Sequence, residues 1–403
     1  MAHEVERPTY EVVGTLERFD ERDTVFAREA LQPSSKEEMA YHELHPELVE
    51  IDRRLARFIQ EKIDNPPEVP EDPLNEAFYD TTFGAVAALA QPDSVDGPVN
   101  SHQVKVEDPE WMSRRIKAVA RILGADLVRV ARLNPAWVYS RRGARPFFSD
   151  YTANPPLFPG VPDSYTGLVY GDPIEIGHKY VISMAFPQDP GLVRTGPSLL
   201  NDFETGRVYA LSALVAVELA RYIRALGYPA RAHHLRNYGV MMVPAAVDAG
   251  LGELARCGYL VTKELGANLR LVAVTTDLPL AVDRPVDLGV QDYCEKCLKC
   301  AENCPPRAIP FGDKVEVRGV RKWKIDEVKC LLYWGSQGAA CGICQVVCPW
   351  SKPRTPFHRF VAEIATRAPW ARRFLTRADD LVYGERYKPR PYPDWAQMGT
   401  SPG

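Results

Sequence analysis

The chain has 403 residues, 45% of them hydrophobic and 25% charged, with a net charge of −4 at pH 7. This length allows two or three domains with sizeable cores. The overall charge gives no sign of a footprint for nucleic acid or anionic lipid, and no run nears the roughly 18 apolar residues of a membrane-spanning helix.

The opening, MAHEVERPTYEVV, is acidic rather than apolar and does not read as a secretory leader. Arg141-Arg142 lies mid-chain, where export machinery would not read it as a twin-arginine signal. The expectation is a cytoplasmic protein, or a peripheral membrane one if a leader has been removed. Proline is abundant, at 35 residues, which suits long ordered loops. Residues 1–108 read as an irregular, partly helical region, with one helix over 47–63 and a proline-rich patch at 65–73. The stretch PEWMSRRIKAVARILG, from Pro109, has helical spacing and a glycine stop, and DLVRVARLN (126–134) reads as a strand. Strands are also predicted over 178–186 and 269–275, and a long helix over 206–226 ending at Gly227. Residues 240–262 suggest a short helix and turns. This alternation over 109–290 predicts an α/β (α+β) core with a central sheet. A cysteine module follows at 291–355, and a tail rich in proline, arginine and aromatics occupies 356–403 and is expected to pack on the core.

The cysteines are the most informative feature. Eight of the nine fall into two runs, Cys294-x2-Cys297-x2-Cys300-x3-Cys304-Pro305 and Cys330-x10-Cys341-x2-Cys344-x3-Cys348-Pro349. This is the bacterial ferredoxin pattern, in which the fourth cysteine of each run ligates the other cluster. The spacing therefore predicts one [4Fe-4S] cluster on Cys294, Cys297, Cys300 and Cys348. A second is predicted on Cys330, Cys341, Cys344 and Cys304. Zinc sites pair two close cysteines with two more at a longer gap, which fits neither run, and disulfides need an oxidising compartment. Cys257 reads as a small packing residue. Two clusters side by side form a wire, so the long preceding chain should build the site that receives the electrons.

Several stretches resemble one family. ERFDERDTVFAR (17–28), ARYIRALGYPARAH (220–233), AGLGELAR (249–256), RLVAVTTDLPL (270–280), RPVDLGV (284–290), CEKCLKCAENCP and CQVVCPWSKP are together similar to the reductive dehalogenases. The resemblance runs over about 15–360. It implies a nitroreductase-like cobalamin-binding core fused to a bacterial-type two-[4Fe-4S] ferredoxin module. It also implies a base-off corrinoid that carries the reductive step, an organohalide substrate, and a low-potential electron donor such as a ferredoxin or flavodoxin. Many family members have a twin-arginine leader and a small membrane-anchor partner.

By the same resemblance, Tyr209 in GRVYALS matches the family's proton donor, Arg270 a cation that would favour tyrosinate, and Asn237 an asparagine of one branch. The bland alternatives are a core tyrosine and a strand-end ion pair, and Tyr238 is a competing donor. Lys352, His358 and Trp350, with Arg354, are candidate corrinoid contacts; a solvated basic turn is the alternative. His233-His234 reads as a hydrogen-bonded pair at a strand end. Trp137, Phe147 and Phe148 hint at an apolar cavity. Two rival functions share parts of this layout. One is an epoxyqueuosine-reductase-like enzyme acting on tRNA, which should carry a basic face or helical-repeat tail. The other is a corrinoid or electron-transfer protein without dehalogenation.

Overall fold

The predicted strands come together in one four-stranded sheet. The structure is a computed structural model describing residues 3–31, 33–64, 73–143 and 169–397. Strands β1 (Leu127–Arg132), β2 (Tyr180–Pro187), β3 (Ala230–His233) and β4 (Leu269–Thr276) lie in the order β1-β2-β4-β3, every pair antiparallel. Three of these match the strands expected from sequence. β3 was missed: ARAH is short, carries two cationic or imidazole side chains, and earns its pairing only from the neighbouring β4.

Period-two alternation gives the sheet two different faces. Ile182, Met184, Phe186, Val272 and Val274 point to one side and pack with helix residues Val208, Val215, Leu219 and Ile223. Ala131, Val181 and Ala273 point to the other, with Trp137, Ala245 and Ala249. The large side chains face the long helix and the small ones face the short helix Met242–Asp248.

Three helices frame the first face: α1 (Pro73–Leu89), α2 (Pro109–Leu123) and α3 (Leu199–Ala225). In α2, Asp108 caps by accepting from Glu110 N and Trp111 N, and Met112, Ile116 and Ala120 are buried. The helix stops at Gly124, whose φ of 124° a side chain would resist. α3 begins seven residues before the predicted start at Gly206. Its first turn is capped by the Ser198 side chain, which accepts from Asn201 N, and holds buried Asn201, Asp202 and Glu204. Those polar residues look like loop in the sequence and are helical because partners from elsewhere satisfy them. Upstream, the predicted helix at 47–63 appears as Val49–Asp64. Apart from Pro73, the proline-rich patch lies outside the described residues.

The cysteine module begins with α4 (Val290–Lys296). The expected tail is largely helical, as α5 (Pro356–Arg367) and α6 (Arg372–Tyr383), and it lies against the module through Ala362, Ala365 and Leu375. Among the described residues no helix is long and apolar enough to cross a membrane.

Core and module meet closely at Gly266. Its φ is +59°, and an added Cβ would stand 2.3 Å from Trp350 O and 2.6 Å from Ser351 Cα. Because the obstacle is backbone, Gly266→Ala should force the seam apart, at about 1–3 kcal/mol for the clash plus about 1 kcal/mol for the left-handed conformation. Gly312→Ala, where nothing lies within 4 Å of the added carbon, should leave denaturant midpoints unchanged. Equal midpoints for the two variants would remove this close approach as a structural determinant.

Candidate functional site

The site is assembled by strand register. Arg270 stands opposite Phe186 across β2–β4, so it shares the face of Phe186, Val272 and Val274 and projects toward α3. On α3, Asp202, Thr205 and Tyr209 are spaced three and four residues apart and form one stripe. Arg270 meets that stripe. Its guanidinium carbon lies 5.4 Å from the Tyr209 ring centroid, and Nη2 donates to Thr205 Oγ1 at 3.1 Å. Arg270 Nε is buried with no hydrogen-bond partner. Tyr209 is only partly buried and packs by its ring near Phe83, at 6.4 Å. Among the described residues its hydroxyl has no hydrogen-bond partner.

Asn237 is buried at 1% exposure. Its Nδ2 donates to Ala90 O at 2.9 Å and its Oδ1 accepts from Arg231 at 2.6 Å. The structure thus joins Tyr209 to Arg270 directly, while Asn237 is engaged beyond β3 with the C-terminal end of α1. The competing tyrosine, Tyr238, is held by burial well above its ordinary pKa, reinforced by the Glu21 carboxylate to which it hydrogen-bonds. That makes it a poor acid. His233 lies on the opposite sheet face, hydrogen-bonded to Thr275 Oγ1 and accepting from Gly239 N. His234 bonds to the carbonyls of Leu235 and Leu89. Trp137 also lies on that opposite face, donating to Asp248 at 2.6 Å. Phe147 and Phe148 lie outside the described residues.

The cysteine thiols fall into two neighbourhoods. Cys348 is pushed well above the ordinary thiol pKa by burial and then by Cys257, Cys294 and Cys297. Cys300 is raised by Cys257, burial, Cys294 and Cys348. Cys330 is pushed up to about 12 by burial and by Cys341 and Cys304, and Cys344 senses Cys257, Cys341 and Cys330. These influences tie Cys294, Cys297, Cys300 and Cys348 together as one neighbourhood and Cys304, Cys330, Cys341 and Cys344 as another, while among the described residues no group of three or more His, Cys, Asp or Glu side chains is placed to hold a single metal ion. Cys300 and Cys344 hold the Cys257 thiol well below its ordinary pKa, so Cys257 sits at the junction. A lone cysteine in a glycine-rich turn carries no local signal of this placement. Crowded cysteines, five of the eight buried, suit soft metal centres that take them as thiolates and offset the repulsion between those thiolates.

The second neighbourhood rests on α3. Asn201 Nδ2 donates to Ala340 O at 2.8 Å, and Ala340 N donates to both oxygens of Asp202. Tyr259 is half-buried here; desolvation raises its pKa, with Cys344 and Tyr209 adding and Arg270 opposing. One helix thus carries the contact to Ala340, beside Cys341, and, two turns later, Tyr209. Sequence reading missed Asp202, Thr205 and Tyr259, although the 202-205-209 spacing was available once Tyr209 was singled out.

Trp350 packs edge-on against Tyr293, with its Nε1 buried and unpartnered. Lys352 Nζ pairs with Asp379 at 2.9 Å and sits 4.1 Å from the Tyr383 ring centroid. His358 bonds Thr355 Oγ1 and the Tyr383 hydroxyl, and Arg354 pairs with Asp126. Lys352 and Arg354 also border a groove of about 510 Å³ together with Gln188, Arg207, Asn268 and Ser351. Asn268 Oδ1 is buried without a partner. A corrin ring carries amide side chains on its rim, so an orphaned acceptor and several polar groups along this groove suit one edge of such a ring.

Residues 293–352 match the family profile described as a 4Fe-4S dicluster domain. Tetrachloroethene reductive dehalogenase of Dehalobacter restrictus (strain DSM 9455 / PER-K23) is 33% identical over 299 residues, 66% of this chain and 53% of that protein. The protein of the same name from Sulfurospirillum multivorans is 33% identical over 297 residues, 69% of this chain and 58% of that one. Among solved structures, the catabolic reductive dehalogenase NpRdhA in complex with 3-bromo-4-hydroxybenzoic acid superposes with a TM-score of 0.74 at 28% identity, covering 96% of this chain and 49% of that chain. The chain spans little more than half the length of the curated relatives it matches.

Asp202 makes the pH dependence of this seam testable. Burial pushes its carboxyl up to about 7, against the pull of Ala340 N–H and Arg270. The folded value is raised, so its contribution to stability is complete below about pH 4 and is lost as pH rises through about 7. Full ionisation costs on the order of 4 kcal/mol. Apparent melting temperature should therefore fall for the wild type between pH 5 and 8, and Asp202→Asn should flatten that fall. Parallel curves would show that Asp202 is ionised throughout.

Proposed function

Since this chain belongs to the reductive dehalogenase family, we propose that the protein replaces the halogen of an organohalide with hydrogen, at a base-off corrinoid supplied by two [4Fe-4S] clusters. When bound, the corrinoid provides the reduced cobalt that breaks the carbon–halogen bond, and the clusters provide its electrons one at a time. The overall change consumes two electrons and one proton and releases halide.

The observation that carries this reading is the Arg270–Tyr209 contact on the same helix that receives the second cysteine neighbourhood. Tyr209 holds the proton at an uncommitted hydroxyl and gives it to the carbon that loses halide. Arg270, oriented by Thr205, offsets the negative charge left on the phenolic oxygen. Its unpartnered Nε is a further donor for that oxygen or for departing halide. The cluster ligands are Cys294, Cys297, Cys300 and Cys348 in one set and Cys330, Cys341, Cys344 and Cys304 in the other. Lys352, Asn268 and Gln188 hold one edge of the corrinoid in the groove they border. His358 and Trp350 act behind Lys352, keeping α6 and the module in place. Asn237 supports the wall opposite Tyr209 by fixing the end of α1 to the β3 turn.

Tyr209→Phe, loaded anaerobically with cobalamin and iron, should keep both cofactors by absorbance. Its halide release should fall by about 10²–10⁴-fold. The screen should include tetrachloroethene and 3-bromo-4-hydroxybenzoic acid, after the compounds named with the similar proteins. Turnover within a few-fold of wild type would remove Tyr209 as proton donor.

A further inference from the structure

The two tail helices turn opposite faces to the module and to solvent, and the solvent face is the unusual one. The inner stripe of α6 is Arg372, Thr376, Asp379 and Tyr383, at helical spacing. Arg372 pairs with Asp292 at 2.6 Å, and Thr376 Oγ1 donates to Arg372 O at 3.0 Å. Asp379 joins Lys299 and Lys352, and Tyr383 lies under Lys352. Asp292, Tyr293 and Lys299 flank Cys294, Cys297 and Cys300 in the chain. α6 is therefore the cover over the first cysteine neighbourhood. The second neighbourhood faces the other way, onto α3.

Outward, the same helices and the turn between them expose Phe357, Phe360, Trp370, Phe374 and Leu381, at 63–89% exposure. Burying such side chains against the module would have been favourable, yet the buried stripe is the charged one. Between residues 354 and 390 eight arginine or lysine residues are exposed, including Arg359, Arg373 and Arg377, against a single exposed carboxylate, Glu385. A chain with net charge −4 thus carries four exposed arginines, Arg359, Arg367, Arg373 and Arg377, beside the exposed apolar side chains of these two helices. Arginine and aromatic residues are the enriched components of protein interfaces, and a one-signed surface steers an oppositely charged partner.

We propose that the outer face of α5 and α6 is the docking surface for an acidic, low-potential one-electron carrier protein, delivering electrons to the first cluster. The proposal rests on the two-cluster reading above. In each encounter the carrier is oxidised by one electron and the cluster reduced by one, with no proton transferred; two encounters supply one dehalogenation. A membrane surface would also accept aromatics and arginine. The position over the cysteines nearest the tail favours the carrier, because electron entry requires a docking site there and lipid adhesion does not.

The test uses the holoprotein and an acidic flavodoxin reduced to the hydroquinone, with cluster bleaching followed by stopped flow. Arg373→Glu/Arg377→Glu should slow bleaching at least ~10-fold at low salt and flatten its ionic-strength dependence. Phe374→Ser should slow it without changing the salt slope. Reduction by titanium(III) citrate, which needs no docking, should be the same in all three proteins. Equal flavodoxin kinetics and salt dependence in wild type and variants would overturn the proposal. So would loss in the variants of binding to anionic phosphatidylserine vesicles, or of self-association, with flavodoxin kinetics unchanged. Because bleaching is read without substrate, salt-dependent reduction in a protein that releases no halide would leave the docking surface standing and the dehalogenase reading fallen.

Discussion

Everything in this molecule depends on a seam: the first turn of α3 and the β4 approach on one side, the second cysteine run on the other. Asn201 and Asp202 grip Ala340 from both its carbonyl and its amide. Gln345 reaches across to Ala267 O at 3.1 Å, and Ser351 accepts from Ala267 N at 2.9 Å. Gly266 allows the backbones to touch. These are mostly polar contacts between groups with almost no solvent exposure. A hydrogen-bonded seam fixes position more narrowly than an oily one of equal area, since each bond is lost over a fraction of an ångström. For electron transfer between fixed centres, position matters more than raw stability.

The buried charges in the tail follow the same logic. Lys299, Lys352, Asp379 and Asp380 form a network with little solvent access. Desolvation makes such networks poor sources of net stability, and well-packed apolar residues would often do as well. What they provide is a single arrangement: two lysines from different parts of the module converge on one turn of α6. Burial lowers the pKa of Lys352 while Asp379 opposes it. The pairing therefore matters to keeping that ammonium charged.

What was legible in the sequence was the chemistry that spacing enforces. Cysteine runs, alternating strands and the glycine stop of α2 all obey local rules, and the three strands predicted from alternation appear within two residues of their ends. The failures share one cause. The early start of α3, strand β3, and the roles of Asp202 and Tyr259 are set by tertiary partners, which leave no periodic trace. Cys257 shows the limit well: its turn is readable from the flanking glycines, yet its contact with Cys300 and Cys344 exists only once both runs have folded around it. Tyr209 and Arg270 came from family resemblance, and register explains why they meet, because both end on the sheet face that carries Phe186. The two α-helices of the tail carry no predicted bounds, because their prolines and arginines mask a regular inner stripe.

The unsatisfied atoms are as informative as the satisfied ones. Buried polar groups in folded chains almost always have partners, and each exception asks for a cause. Three of the described exceptions, Asn268 Oδ1, Arg270 Nε and Trp350 Nε1, belong to the two strands of chain that form the seam or flank it. Each left alone costs roughly 1–3 kcal/mol. A polar ligand that completed even two of them would bind this folded chain in preference to the unfolded one, and would raise its stability by mass action. On that argument the β4 end of the core is less a finished interior than one wall of a site, with the other wall supplied by what it binds.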